Sequence, residues 1–143
     1  MFKGHFWRKG FRDFPFRSLH SNGLLRDGDL YALWDLNWLL INKHGFESDI
    51  YNTASSAGNI LALQLVMDGL KLQPANPSFL QGRDAILAAD QAATGAANQT
   101  EIWTAFARRG MGFSANDGGG ATATSVSAAF DLPATSVGTV DFD

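Results

Sequence analysis

The pattern of apolar and polar positions predicts four helices joined by short polar loops. The clearest helix is predicted from Asp29 to His44, where apolar side chains occupy nearly every face. Such a helix is expected in the middle of a core. Asp29 at its start and Lys43 near its end suit the helix dipole, and Gly45 suits a left-handed cap. One predicted stripe contains Leu30, Leu33, Trp34, Asn37, Trp38 and Ile41, and another contains Leu36, Leu39 and Leu40.

The second predicted helix lies between a polar loop at 46–55 and Pro74. Either Ser55 or Ser56 is expected to cap its start, and it is expected to run to about Lys71. Its apolar stripe is predicted to consist of Ile60, Leu63, Met67 and Leu70, which recur at helical spacing.

The third and fourth helices have explicit start and stop signals. Asn76 followed by Pro77 predicts an N-cap and a first helical residue, and this helix is expected to run to about Thr94 before Gly95. Asn98 and Glu101 then form a capping-box-like pair. The fourth helix is expected to end at Arg108-Arg109, before Gly110.

The two ends of the chain lack such periodicity. Residues 1–28 mix aromatic and basic side chains, a pattern that suits either stacking on single-stranded nucleic acid or packing against the following helices; packing is favoured. Residues 114–143 are rich in Gly, Ser, Thr and Ala, which favours a flexible tail. Two short alternating stretches near the C-terminus are strand-like, but Pro133 counts against a strand. The fold class is therefore all-α, with a helical domain at 29–113.

Composition and charge narrow the function classes. The chain has 143 residues, no cysteine, 45% apolar residues and a net charge of −3. Residues 1–28 carry six Lys or Arg against two Asp, whereas the other 115 carry five basic against twelve acidic residues. A basic head of this kind can attract an anionic surface, but an irregular soluble N-terminus is the favoured interpretation. We expect no nucleic-acid partner, no membrane span and no signal peptide in this sequence.

Residue types alone predict no active site. The histidines, His5, His20 and His44, are too far apart in sequence to form a metal-binding helical pair, and His44 is expected to cap a helix. The acidic residues Asp68, Asp84 and Asp90 are interpreted as solvated or salt-bridged, with Arg83 pairing with a nearby Asp. Gly118-Gly119-Gly120 does not fit a phosphate loop, and no thiol nucleophile exists.

A long series of motifs nevertheless resembles one family, the fungalysin zinc metalloendopeptidases. Over about residues 30–115 the chain matches the order of motifs in the C-terminal helical lobe of that family. The matching motifs are Asn42-Lys43-His44-Gly45, Leu65-Val66-Met67-Asp68-Gly69, Gln73-Pro74-Ala75-Asn76-Pro77-Ser78-Phe79, Arg83-Asp84-Ala85-Ile86 with Ala89-Asp90, Asn98-Gln99-Thr100-Glu101-Ile102-Trp103, and Phe106-Ala107-Arg108-Arg109-Gly110.

The resemblance implies a fold like the C-terminal domain of thermolysin-like proteases, an extracellular location and a zinc cofactor. The family binds zinc through His-Glu-x-x-His and a downstream Glu, and this sequence lacks that motif. Zinc is therefore expected by resemblance only, with no metal ligand in this chain. The cysteines of the family pattern fall at Ala75 and Thr100, and the resemblance implies that they form a disulfide, worth about 2–5 kcal/mol.

The resemblance also suggests one catalytic candidate. A family element, Val-His-x-x-Gly, has a His expected to stabilise the oxyanion of the transition state. His20 has the right spacing to Gly23 but lies far from the first helix, whereas Arg26-Asp27-Gly28-Asp29 is nearer and lacks the His. His20 is the catalytic candidate on this basis.

Two hypotheses about function follow. The chain is either the C-terminal portion of a fungalysin-type protease, inactive alone, or a non-catalytic interaction module. As a module it would bind a protease catalytic domain or a second copy of itself. Its origin is either a disrupted gene or a small protein that kept the helical lobe.

Overall fold

The computed structural model describes residues 27–119 and 125–134, and four α-helices account for its regular structure there. They are α1 (Asp27–His44), α2 (Gly58–Leu72), α3 (Phe79–Thr94) and α4 (Gln99–Ala107). The all-α prediction is confirmed. In these ranges α2 packs against α1 and α3, and α4 packs mainly against α1. None of these helices has the length and apolar character needed to cross a membrane.

Only one face of α1 faces the core. Ala32, Leu36 and Leu40 recur every fourth residue and are fully buried. Trp34 and Trp38 lie on the opposite face and are about half exposed, at 57% and 49%. The expectation of a helix buried on all sides is therefore wrong for the part of the chain described, because α2 and α4 both pack against the same half of α1.

The core-facing stripe of α2 combines small residues with two large apolar ones. The buried residues are Gly58, Ile60, Ala62, Leu65 and Gly69, whereas Leu63, Met67 and Leu70 are exposed. The predicted stripe is thus wrong except at Ile60. Glycines bring the backbones close together: the position of an added Cβ on Gly69 lies 2.9 Å from a side-chain carbon of Ile86 in α3. Close helix packing, more than side-chain hydrophobicity, decides which face of α2 is buried.

The starts of α2 and α3 differ from the predicted caps. Ala57 is the N-cap of α2 and makes no side-chain cap bond; the Ser55 hydroxyl accepts from the Ala57 amide instead. Ser78, two residues after the predicted Asn76, caps α3 through a reciprocal capping box with Gln81. Asn76 has a left-handed backbone, with φ of 52°, and so lies outside the helix.

The helix ends agree better with the sequence. Gly45, Gly95 and Gly110 follow α1, α3 and α4 with φ values of 84°, 70° and 82°. These left-handed conformations strain any residue with a Cβ, which is why glycine marks the helix ends. Asn98 stands at the N-cap position of α4 as predicted, but it makes no side-chain cap bond there, so the predicted capping box is wrong.

Residues 127–131 form backbone hydrogen bonds with the segment that follows α4. The amides of Gly112 and Phe113 donate to the carbonyl oxygens of Ala129 and Asp131, at 2.8 and 3.0 Å. Asn116 and Ser127 exchange two backbone hydrogen bonds in an isolated bridge. Flexibility after Ser114 stays a prediction, while backbone bonds join residues 127–131 to the segment after α4; residues 120–124 and 135–143 lie outside the described ranges.

Candidate functional site

The described residues do not provide a set of zinc ligands. Within 27–119 and 125–134, no group of three or more His, Cys, Asp or Glu side chains is placed to hold a metal ion. Of the three histidines, His44 is the one that lies in these ranges, and its Nε2 forms a hydrogen bond. The catalytic candidate, His20, and the other N-terminal histidine, His5, lie outside the described residues. His20 stays a prediction.

Among the described residues, the most deeply buried acidic side chain is Asp90, near the end of α3. Asp90 has no exposed surface. Its Oδ1 accepts from Asn98 Nδ2 at 2.8 Å and from the Thr94 hydroxyl at 2.7 Å, and its Oδ2 accepts from the Asn98 amide at 3.0 Å. The interpretation of Asp90 as a solvated or salt-bridged residue is wrong, because these neutral donors replace water around it.

Asn98 extends this contact to the end of α1. Its Oδ1 lies 2.7 Å from Nε2 of His44. Because the Asp90 carboxylate only accepts, the Asn98 amide nitrogen must face it, and Oδ1 is left to accept from His44. The His44 Nε2 therefore carries a proton in this arrangement. His44 is the last residue of α1, as predicted, and its side chain also bonds to the residue that precedes α4.

A surface ion pair borders these residues. Lys43 Nζ donates to the Ala97 carbonyl at 2.6 Å and pairs with Glu101 at 2.9 Å. We call Lys43, His44, Asp90, Asn98 and Glu101 the polar cluster. It joins the end of α1, the end of α3 and the start of α4. The polar cluster includes no nucleophile and no set of metal ligands. Its hydrogen bonds instead hold three helix termini together.

Arg83 performs a similar task at the other end of α3. Its side chain is buried, donates to the carbonyl oxygens of Met111 and Gly112 at 3.0 and 2.7 Å, and pairs with Asp84 at 2.7 Å. The guanidinium carbon lies 4.6 Å from the ring centroid of Trp103. The predicted pairing of Arg83 with a nearby Asp is confirmed. Arg83 fixes the chain after α4 against α3.

An open cleft of about 390 Å³ lies beside Arg83, between the start of α3 and residues 115–119. Its acidic side chains already have partners in the protein: Asp117 bonds the Ser78 hydroxyl, and Asp84 pairs with Arg83. Both carboxylates of the cleft are therefore engaged by other side chains of the protein.

Two exposed carboxylates have lowered pKa values for structural reasons. The pKa of Glu47 is lowered by hydrogen bonds from the Asp49 amide and the Asn52 side chain. The Ser114 hydroxyl and amide lower the pKa of Asp131. Both carboxylates hold local turns together, and a lowered pKa makes each a weaker base for proton abstraction.

The exposed side of α1 is a continuous apolar surface. Leu30, Trp34 and Trp38 follow one another at four-residue spacing, and Leu30 is 64% exposed. The two indole rings meet edge to face, with centroids 5.9 Å apart. We call these three residues the outer face of α1. Exposed tryptophan pairs are unusual on a monomer surface and are enriched at protein interfaces.

The positions of the two family cysteines lie toward opposite ends of α3. Thr100 is in the first turn of α4, beside the residues that contact Asp90 near the end of α3. Ala75 precedes the start of α3, and its neighbour Gln73 approaches Gly82. A helix of 16 residues is about 24 Å long, whereas a disulfide needs Cα atoms within about 7 Å. The pairing of these two positions therefore stays a prediction.

Sequence comparisons identify the relatives of this fold. The family described as fungalysin metallopeptidase (M36) matches residues 19–115. The extracellular metalloproteinase MEP of Pyricularia oryzae is 41% identical over 127 residues, covering 73% of this chain and 19% of that protein. MEP of Fusarium vanettenii is 42% identical over 131 residues, covering 84% of this chain and 20% of that protein.

A shorter but more similar match comes from Aspergillus fumigatus. Its extracellular metalloproteinase is 52% identical over 84 residues, covering 56% of this chain and 13% of that protein. The chain therefore spans about a fifth of the length of these relatives, or less.

Proposed function

The chain belongs to the fungalysin metallopeptidase family, and on that premise we propose that it forms a helical portion of an extracellular zinc metalloendopeptidase. We propose further that this portion does not itself bind zinc. The fungalysin resemblance predicted from the motifs is confirmed by the family match. Proteolysis by these 143 residues alone is not expected. Catalysis would need a zinc-binding part of the kind that the family resemblance implies.

The observation that supports this proposal is the poor fit between the residues present and a zinc site. A zinc peptidase needs three protein ligands around one metal position, with a fourth position open for water. In the described ranges no such group exists, and the His44 nitrogen nearest to other polar side chains is bonded to Asn98. The whole sequence also lacks His-Glu-x-x-His.

Metal content and peptidase activity of the same sample test the proposal. The purified chain would be stripped with EDTA, reloaded with zinc, dialysed, and measured by elemental analysis and casein cleavage. We expect far less than one zinc per chain and no cleavage, with a full-length Aspergillus fumigatus metalloproteinase as the positive control. About one zinc per chain together with chelator-sensitive cleavage would contradict the proposal.

The outer face of α1 favours a second candidate function, a non-catalytic interaction module. Leu30, Trp34 and Trp38 present apolar surface, and two large aromatic rings provide the kind of anchor that dominates binding energy at interfaces. The partner we propose is the zinc-binding part of a fungalysin-type protease. About four fifths of the length of these relatives lies outside the match, and that part provides a candidate for the partner.

Replacing both tryptophans tests this second candidate. Trp34→Gln with Trp38→Gln should abolish co-elution with a fungalysin fragment that lacks the matched region, while the far-UV circular dichroism stays unchanged. A matched control is Leu63→Gln with Met67→Gln, which changes two exposed apolar residues of α2 and should leave binding intact. Equal binding by the wild type and the double tryptophan variant would rule out this face as the interface.

A further inference from the structure

A modification motif begins at Asn98, which belongs to the polar cluster. Asn98-Gln99-Thr100 has the form Asn-x-Thr, the acceptor sequence for N-glycosylation in the secretory pathway. Asn76-Pro77-Ser78 has the same spacing, but proline in the middle position excludes it. No other asparagine of the sequence is followed two residues later by Ser or Thr. Asn98 is therefore the single acceptor candidate in these 143 residues.

The fold closes this acceptor completely. Asn98 has no exposed surface, although glycosylated asparagines need a solvent-facing amide nitrogen. That nitrogen donates to Asp90, and the amide oxygen is bonded to His44. We infer that Asn98 accepts a glycan only while the chain is unfolded, and that glycosylation and the native fold exclude each other.

The exclusion has a direct physical cause. A glycan replaces a hydrogen on Nδ2 and is far too large for the closed space beside Asp90. The Asn98 side chain would have to turn outward, leaving the Asp90 carboxylate without its Asn98 Nδ2 donor and His44 without its acceptor. Since Asn98 immediately precedes α4, the start of that helix would detach from the ends of α1 and α3.

Thr100 allows the motif to be removed without disturbing the cluster. Its side chain is exposed, and its backbone carbonyl accepts a hydrogen bond from the Thr104 hydroxyl. Thr100→Ala destroys the acceptor motif, whereas Thr100→Ser preserves it. The biological relevance rests on the extracellular location proposed above, but the test does not, because a leader brings the chain into the secretory pathway.

The experiment compares secreted and retained protein in yeast. The full chain, fused to a cleavable secretion leader, would be expressed as wild type, Thr100→Ala and Thr100→Ser, and each fraction analysed by mass before and after N-glycosidase. We expect the retained wild-type fraction to carry a glycan at Asn98 and the secreted fraction to be unmodified. Thr100→Ala should lose the glycan and raise the secreted yield by about twofold or more, while Thr100→Ser should match the wild type.

Two results would overturn the inference. One is a secreted wild-type chain that carries the glycan and has the same far-UV circular dichroism and denaturant midpoint as the deglycosylated chain. The other is the absence of a glycan from every fraction, including retained protein. Neither result depends on zinc or peptidase activity, so a failure here is distinguishable from a failure of the proposed function.

Discussion

Replacing Asp90 by alanine is expected to lower the free energy of unfolding by about 3–5 kcal/mol. The carboxylate is fully buried and accepts from the Asn98 amide, the Asn98 side chain and the Thr94 hydroxyl. Alanine removes all of these acceptors at once and leaves the donors facing a small cavity. Each buried donor without a partner costs about 1–3 kcal/mol. Urea unfolding followed by far-UV circular dichroism measures the change.

Asp68→Ala is the matched control for this prediction. Asp68 also lies on a helix and also has a partner, Lys71 at 2.8 Å, but both side chains are substantially exposed. An exposed pair of this kind is worth less than about 1 kcal/mol, so this variant should unfold close to the wild type. Equal denaturant midpoints for Asp90→Ala and Asp68→Ala would show that the buried carboxylate does not hold the helices together.

The number of helices and their C-terminal ends could be predicted from the sequence because both depend on local chemistry. Gly45, Gly95 and Gly110 each stand where the backbone turns left-handed after a helix, and only a residue without Cβ does this without strain. N-caps were less predictable. Ser78, and not Asn76, is the N-cap of α3 because Ser78 and Gln81 form a reciprocal pair of hydrogen bonds. Asn76 lies too early in the chain to form this pair.

The buried faces could not be predicted because they depend on neighbouring helices. Leu63 and Met67 are apolar and helically spaced, yet α2 turns them to the surface and buries Gly58 and Gly69. Hydrophobicity identifies residues that gain from burial, whereas small residues identify where two backbones can approach. The outer face of α1 was not predicted for the same reason, since the helical spacing of its tryptophans indicated core residues.

The family could be identified from the order of motifs, but the polar cluster could not. Asp90 and Asn98 belong to different matched motifs, and nothing in their composition shows that they meet. One signal was present: Gly95 reverses the chain between them, and a left-handed turn of this kind brings the end of one helix beside the start of the next. His44 and Asn98 are 54 residues apart in sequence, so the hydrogen bond between them depends on the tertiary fold.

Gly58→Ala is expected to disrupt the closest contact between the backbones of α1 and α2. A Cβ on Gly58 would lie 2.1 Å from both the carbonyl carbon and the carbonyl oxygen of Leu40. Unstrained carbon contacts lie at about 3.5–4.0 Å, so α1 and α2 must move apart by more than an ångström. The obstructing atoms belong to the backbone and cannot rotate away. We expect a loss of about 3 kcal/mol or more in the free energy of unfolding.

Gly82→Ala separates this steric effect from the general effect of adding a methyl group to a helix. Gly82 lies inside α3, and its added Cβ would meet only the tip of the Gln73 side chain, at 3.3 Å. That tip can move, and alanine favours a helix over glycine by about 0.5–1 kcal/mol, so this variant should be neutral or slightly more stable. The two substitutions are chemically identical. If both left the urea midpoint unchanged, α1 and α2 would not be packed backbone to backbone at Gly58.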